Sequence, residues 1–187
     1  MQFLFTARRK FDAQHQEDDS MPWEKYIAWS RLPQLTELVS LDTGLNEVLV
    51  EPDRENEDDW KHFTFSGPRD TELFTTLEFV LKRTAKETDF NLLMTVINPE
   101  EDCAGIQADA YDFLGYELID YYYCTSALSN CGGFDETFLP AELNRYGLID
   151  DYQRAYEIRK NLLVNNPEED HADTDVIAIW RHRTIGR

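Results

Sequence analysis

Phe90 to Ile97 (FNLLMTVI) is a nearly continuous apolar run. Its length and its Val/Ile content predict a strand buried on both faces rather than a helix or a half-wet strand. Other short aromatic and β-branched segments read as further strands: Gln2–Phe11, Lys25–Arg31, His62–Phe65, Gly115–Cys124 and Thr174–Arg183. Leu32–Leu41 keeps helical spacing at Leu35, Leu38 and Val39 and predicts a short helix, with Asp42-Thr43-Gly44 as the break after it. From Asp70 as N-cap, Leu73, Leu77, Val80, Leu81 and Thr84 recur at amphipathic-helix spacing. A second helix is predicted over Ile149–Val164, with Ile149, Tyr152, Tyr156, Arg159 and Leu163 on one side and Asn165-Asn166-Pro167 as its end. Strands outnumber helices and do not alternate strictly with them. This predicts an α+β fold, a largely antiparallel sheet packed against two main amphipathic helices in a single layer. At 187 residues and 42% hydrophobic content, residues 1–187 fit one domain that buries roughly 70% of its unfolded surface.

Charge sets the functional expectation. The formal net charge is -19, and between Lys86 and Arg145 there is no Lys or Arg, while Asp109, Asp112, Glu117 and Asp120 are among the acids that fall there. Like charges brought together destabilise a compact state, so a field of one sign calls for another reason, such as solubility or a cationic partner. With 11 Phe, 9 Tyr and 4 Trp the charge sits on a folded body and not on a disordered acidic tail. Nucleic acid and anionic membranes are poor partners, because both are recognised through clustered Lys and Arg. Glu51–Asp59 (EPDRENEDD) reads as a second acidic, solvated loop.

Cys103, Cys124 and Cys131 form an odd set without CxxC spacing, which points to a reducing, cytoplasmic setting. The order of apolar and basic residues in Met1–Lys10 is the reverse of a secretory signal. The near repeat Asn98-Pro99-Glu100-Glu101-Asp102-Cys103 and Asn166-Pro167-Glu168-Glu169-Asp170-His171 has two readings. Cys103 and His171 would be equivalent ligands of a metal site, or both copies would simply open helices, with Asn as N-cap and Pro at N1. Asn130-Cys131-Gly132-Gly133 would present a thiol to His171 or His182, against a negative field that disfavours the thiolate, or would be a tight turn. Gly132-Gly133 lacks the spacing and the lysine of a phosphate loop, and no cofactor is called for.

Tyrosines interleaved with acids suit a surface that binds a cationic protein, because rigid amphipathic rings supply contact and carboxylates steer association. The leading expectation is an acidic protein-binding module of inhibitor or immunity type that blocks a basic effector. Its binding residues would be Asp109, Asp112, Tyr116, Asp120 and Tyr122, with Glu55, Asp58 and Asp59 as a second patch. The alternatives are an enzyme using Cys131 or the Cys103/His171 pair, or a domain whose acidity only maintains solubility.

Overall fold

The computed structural model describes residues 1–15, 21–53, 55–64, 67–68, 71–130, 137–165, 167–168 and 172–186. Its elements are β1 (Leu4–Arg9), α1 (Trp23–Ser30), α2 (Glu57–Trp60), α3 (Leu77–Arg83), β2 (Phe90–Ile97), β3 (Tyr111–Asp120), α4 (Tyr152–Asn165) and β4 (Thr174–His182). The four strands form one sheet in the order β1-β2-β4-β3, and every pairing is antiparallel. The fold is α+β, as the sequence pattern predicts.

The apolar run becomes β2 with the predicted bounds, and every residue in it except Ile97 is buried. Register explains why. On one face Ala7, Leu92, Met94, Val96, Val176, Ala178 and Trp180 lie under helices: Val80 of α3 packs at the β1–β2 end, and Ala155, Ile158 and Leu162 of α4 pack over β3 and β4. On the other face Leu4, Leu93, Ile97, Ile119, Ile177 and Ile179 meet Val39, Leu41, Leu73 and Leu148, which come from chain without regular secondary structure. Both sides are covered, so alternation is lost from the central strands.

The sheet's outer edges are also engaged. Beside β1, Phe5 and Phe74 exchange backbone hydrogen bonds (2.7 and 2.8 Å), the Leu49 amide donates to the Ala7 carbonyl, and the Arg9 amide donates to that of Glu47. Beside β3, Tyr116 and Ile149 exchange bonds of 2.8 and 2.9 Å, and the Ala127 amide donates to Leu118. Covered edges remove the row of unpaired groups that invites association between sheets.

Several local expectations are corrected. Lys25–Arg31 lies in α1 and is not a strand. Trp23, Tyr26 and Ser30 are its buried positions, a three-to-four spacing that outweighs aromatic β-propensity, and Arg31 (φ 58°) ends it. Leu32–Leu41 is not helical, because its amides are spent on other segments: Leu38 on Phe11 and Val39 on Tyr146. Glu51–Asp59 is only partly a solvated loop, since Glu57–Trp60 turns into α2 and Asp59 is buried. Phe63 makes a single bridge to Phe74, while Phe65 lies outside the described residues.

The helix predicted from Asp70 starts at Leu77 with Thr76 as N-cap, because Phe74 is drawn out to pair with Phe5 of β1; Asp70 lies outside the described residues. In α4 the buried stripe is Ala155, Ile158 and Leu162, Leu163 is exposed, and Ile149 pairs with Tyr116 instead of joining the helix. Asn98 opens no helix. It sits at φ 45° while its side chain donates to Asp175 (2.5 Å) and accepts from the Val176 amide (3.1 Å). Of the second copy, Asn166, Glu169, Asp170 and His171 lie outside the described residues.

β3 starts four residues earlier than Gly115–Cys124 predicts and ends at Asp120, leaving Tyr121–Tyr123 as a turn. A register shift between Phe113 and Gly115 lets it begin sooner, and Gly115 takes φ 138° there. A Cβ on Gly115 would sit 2.9 Å from both the Ile149 carbonyl oxygen and Leu148 Cβ. Gly115→Ala is therefore expected to destabilise the fold by about 2 kcal/mol or more, measured by urea denaturation.

Candidate functional site

The site builds from the end of β3. Asp120 is buried, and its Oδ1 accepts the amides of Tyr122 (2.8 Å) and Tyr123 (2.6 Å). A short carboxylate bonding backbone two and three residues on fixes a tight turn, and Cys124 (φ 55°) closes it. The outcome is two adjacent tyrosines held outward, Tyr122 at 56% and Tyr123 at 68% exposure. Tyr121 is tied back by its amide to the carbonyl of Asp173, an exposed acid just before β4.

Behind this turn lies a buried polar network. Asp42 Oδ2 accepts the Ser126 amide (2.9 Å) and Asn130 Nδ2 (2.7 Å), and its Oδ1 accepts the Gly44 amide (2.8 Å). The Tyr26 hydroxyl donates to the Ser129 carbonyl at 3.0 Å. Segment 126–130 is thus clamped from two sides, while Cys131 lies outside the described residues. Glu117 accepts the Leu41 amide (2.8 Å) at one oxygen and the Ser40 hydroxyl at the other. Arg8, equally buried, donates to the Asn46 and Thr71 carbonyls. Burial lowers the Arg8 pKa to about 10. Burial also pushes Glu117 up to about 8; the Ser40 and Leu41 hydrogen bonds and the field of Arg8 only partly offset this, and Asp42 adds to it.

The expected binding residues divide by environment. Asp109 and Asp112 are exposed near the start of β3, with Asp112 paired to Arg183 at 2.7 Å, and Tyr122 is exposed past the other end of that ten-residue strand, roughly 30 Å away. Glu55 and Asp58 are exposed on the β1 side of the sheet, and Asp58 pairs with Lys61. Tyr116, Asp120 and Asp59 are interior and offer no surface to a partner. Strand parity could not reveal this, because β3 is buried on both faces for most of its length. The Tyr116 hydroxyl donates to Asp102 and accepts the Cys103 amide, both at 2.7 Å. Asp59 accepts from the Asp53 amide, Asn56 and Arg83.

Cys103 is buried, and burial with nearby Asp102 and Glu101 pushes its thiol up to about 11, away from thiolate chemistry. His171 lies outside the described residues, and no cluster of three or more metal-ligating side chains occurs among those described. No helix of the described residues is long and apolar enough to cross a membrane. No protein-family model, curated protein or solved structure matches this chain.

Sequence reading missed Arg8, Ser40 and Asp42. The Asp42-Thr43-Gly44 turn was the available signal for Asp42, since an Asp two residues before Gly commonly bonds its own turn. For Glu117 the folded state holds the proton, with the pKa raised from 4.5 to about 8. Its contribution is therefore fully present below pH 4.5 and is lost as pH rises to about 8. Glu117→Gln keeps the shape and cannot ionise. It is expected to match wild type within ~1 kcal/mol at pH 5 and to exceed it by on the order of a few kcal/mol at pH 9, read by urea denaturation at both pH values.

Proposed function

We propose that this protein is an acidic protein-binding module of inhibitor or immunity type, which blocks a basic effector by occupying its cationic surface. The observation that carries the reading is the pair Tyr122 and Tyr123, both exposed and both fixed by Asp120. Two large rings presented to solvent from a fixed backbone turn are no part of this chain's buried core. They give a partner contact area at little entropic cost.

Asp173, exposed just before β4 and bonded through its carbonyl to the Tyr121 amide, supplies a carboxylate near the rings. Asp109, Asp112, Glu55 and Asp58 stand farther off and act through the long-range field that a charge of -19 sets up. That field speeds encounter with a cationic partner and weakens with salt.

The test is affinity capture from the host's own lysate with wild type and with the double variant Tyr122→Ala/Tyr123→Ala, eluted by a salt gradient. Wild type is expected to retain a basic protein stoichiometrically and release it at moderate salt, and the double variant to bind that protein at least about tenfold more weakly. Equal retention by the variant, or no basic partner at all, overturns the reading.

A further inference from the structure

Far from the tyrosine turn, where β1 and β4 end and β2 begins, a cleft of ≈ 360 Å³ gathers Lys10, Asp12, His15, Arg181 and His182. Two of the chain's four histidines meet in it. A proton can be placed on each ring from its partners. His15 Nδ1 lies 2.9 and 3.0 Å from the two Asp12 oxygens, so that nitrogen carries a proton and donates. Its Nε2 lies 4.0 Å from Asp89. His182 is arranged the other way. Its Nδ1 accepts the amides of Thr184 (3.2 Å) and Ile185 (3.0 Å), which places the proton on Nε2. Burial, and then Arg183, lower the pKa of His182 and favour this neutral form.

The charges in the cleft are unevenly committed. Arg181 is fixed by Glu37 (2.5 Å), Asn91 (3.3 Å) and the Tyr146 hydroxyl (3.2 Å), and it lies over the Tyr146 ring at 4.9 Å. Asp12 is depressed in pKa, its burial being outweighed by the Gln14 amide and by His15. Lys10 is half-buried, and among the described residues it has no carboxylate partner. The cleft thus offers an ammonium and an imidazole N–H donor above a guanidinium held in place, while its carboxylates, Asp12 and Glu37, are turned to His15 and Arg181.

We infer that this cleft binds the phosphate head of a small molecule. Phosphate oxygens accept from Lys10 and from His182 Nε2. Phe90 and Ile185 on the same wall provide apolar contact for an esterified group. A chain with net charge -19 repels anions at long range, so saturable anion binding requires donors built into a specific place.

The experiment is isothermal titration of the full chain at neutral pH with inorganic phosphate and O-phosphoserine, for wild type, Lys10→Ala and Lys10→Arg, with circular dichroism as the check on folding. Saturable phosphate binding is expected, weakened about tenfold or more in Lys10→Ala and retained in Lys10→Arg. Tighter binding of O-phosphoserine than of phosphate would identify an ester as the ligand, and equal binding the free ion. Absence of saturable binding, or phosphate affinity unchanged in a folded Lys10→Ala, overturns the inference.

Discussion

A sheet face covered by irregular chain must find partners for the backbone groups that a helix would have satisfied internally. This constraint organises the molecule. One face lies under α3 and α4 and is apolar throughout its centre. The other lies under the segments around Val39–Asn46, Thr71–Leu73 and Asn144–Leu148, and polar side chains are buried there. Arg8 answers the carbonyls of Asn46 and Thr71, and Glu117 answers the Leu41 amide. Asn46 donates to the Arg9 and Leu38 carbonyls, Asn144 donates to the Leu114 carbonyl, and Asp42 holds the Ser126 amide. Each of these side chains bonds chain that crosses the sheet or borders it. The cost is a pair of ionisable groups in the interior, which appears as the raised pKa of Glu117 and the lowered one of Arg8.

The same division accounts for part of the acidic excess. Asp42, Asp59, Glu117 and Asp120 are buried and bonded, so they shape loops and turns and do not present themselves to solvent. Their positions differ from those of Asp109, Glu55 or Asp58, which are exposed. Asp120 connects the two groups: although buried, it determines how Tyr122 and Tyr123 stand in solvent. A carboxylate can contribute to a surface without being part of it.

Legibility in the sequence followed the strength of periodicity. Phe90–Ile97 could be read because eight residues without alternation admit few alternatives, and β4 and the body of α4 could be read from their patterns and from Asn165-Asn166-Pro167. α1 could not, since eight residues rich in aromatics satisfy strand propensity while tertiary packing selects the helix. The cover built by Leu32–Val50 was equally hidden, because its hydrogen bonds run to Phe11, Arg9 and Tyr146, far away in the chain. In β3 the alternation of acids and tyrosines suggested a wet face, yet Tyr116, Glu117 and Leu118 are all buried, so parity carried no information about exposure. Of the candidate site, Tyr122 was legible by residue type alone. The clamp made by Asp120, and the prominence of Tyr123, depend on where the strand ends.

The bonded outer margins of β1 and β3 restrict how any partner can be recognised. Phe5, Ala7 and Arg9 on one side, and Tyr116, Leu118 and Asp120 on the other, already spend outward backbone groups on the chain's own segments. A peptide cannot readily extend this sheet as an added strand there, a mode that reads mostly main chain and tolerates many sequences. Recognition falls instead to side chains, where a single ring or charge distinguishes one ligand from its near relatives. On a molecule sealed in this way, main-chain pairing along these margins is closed to any partner, and side chains alone remain to be read.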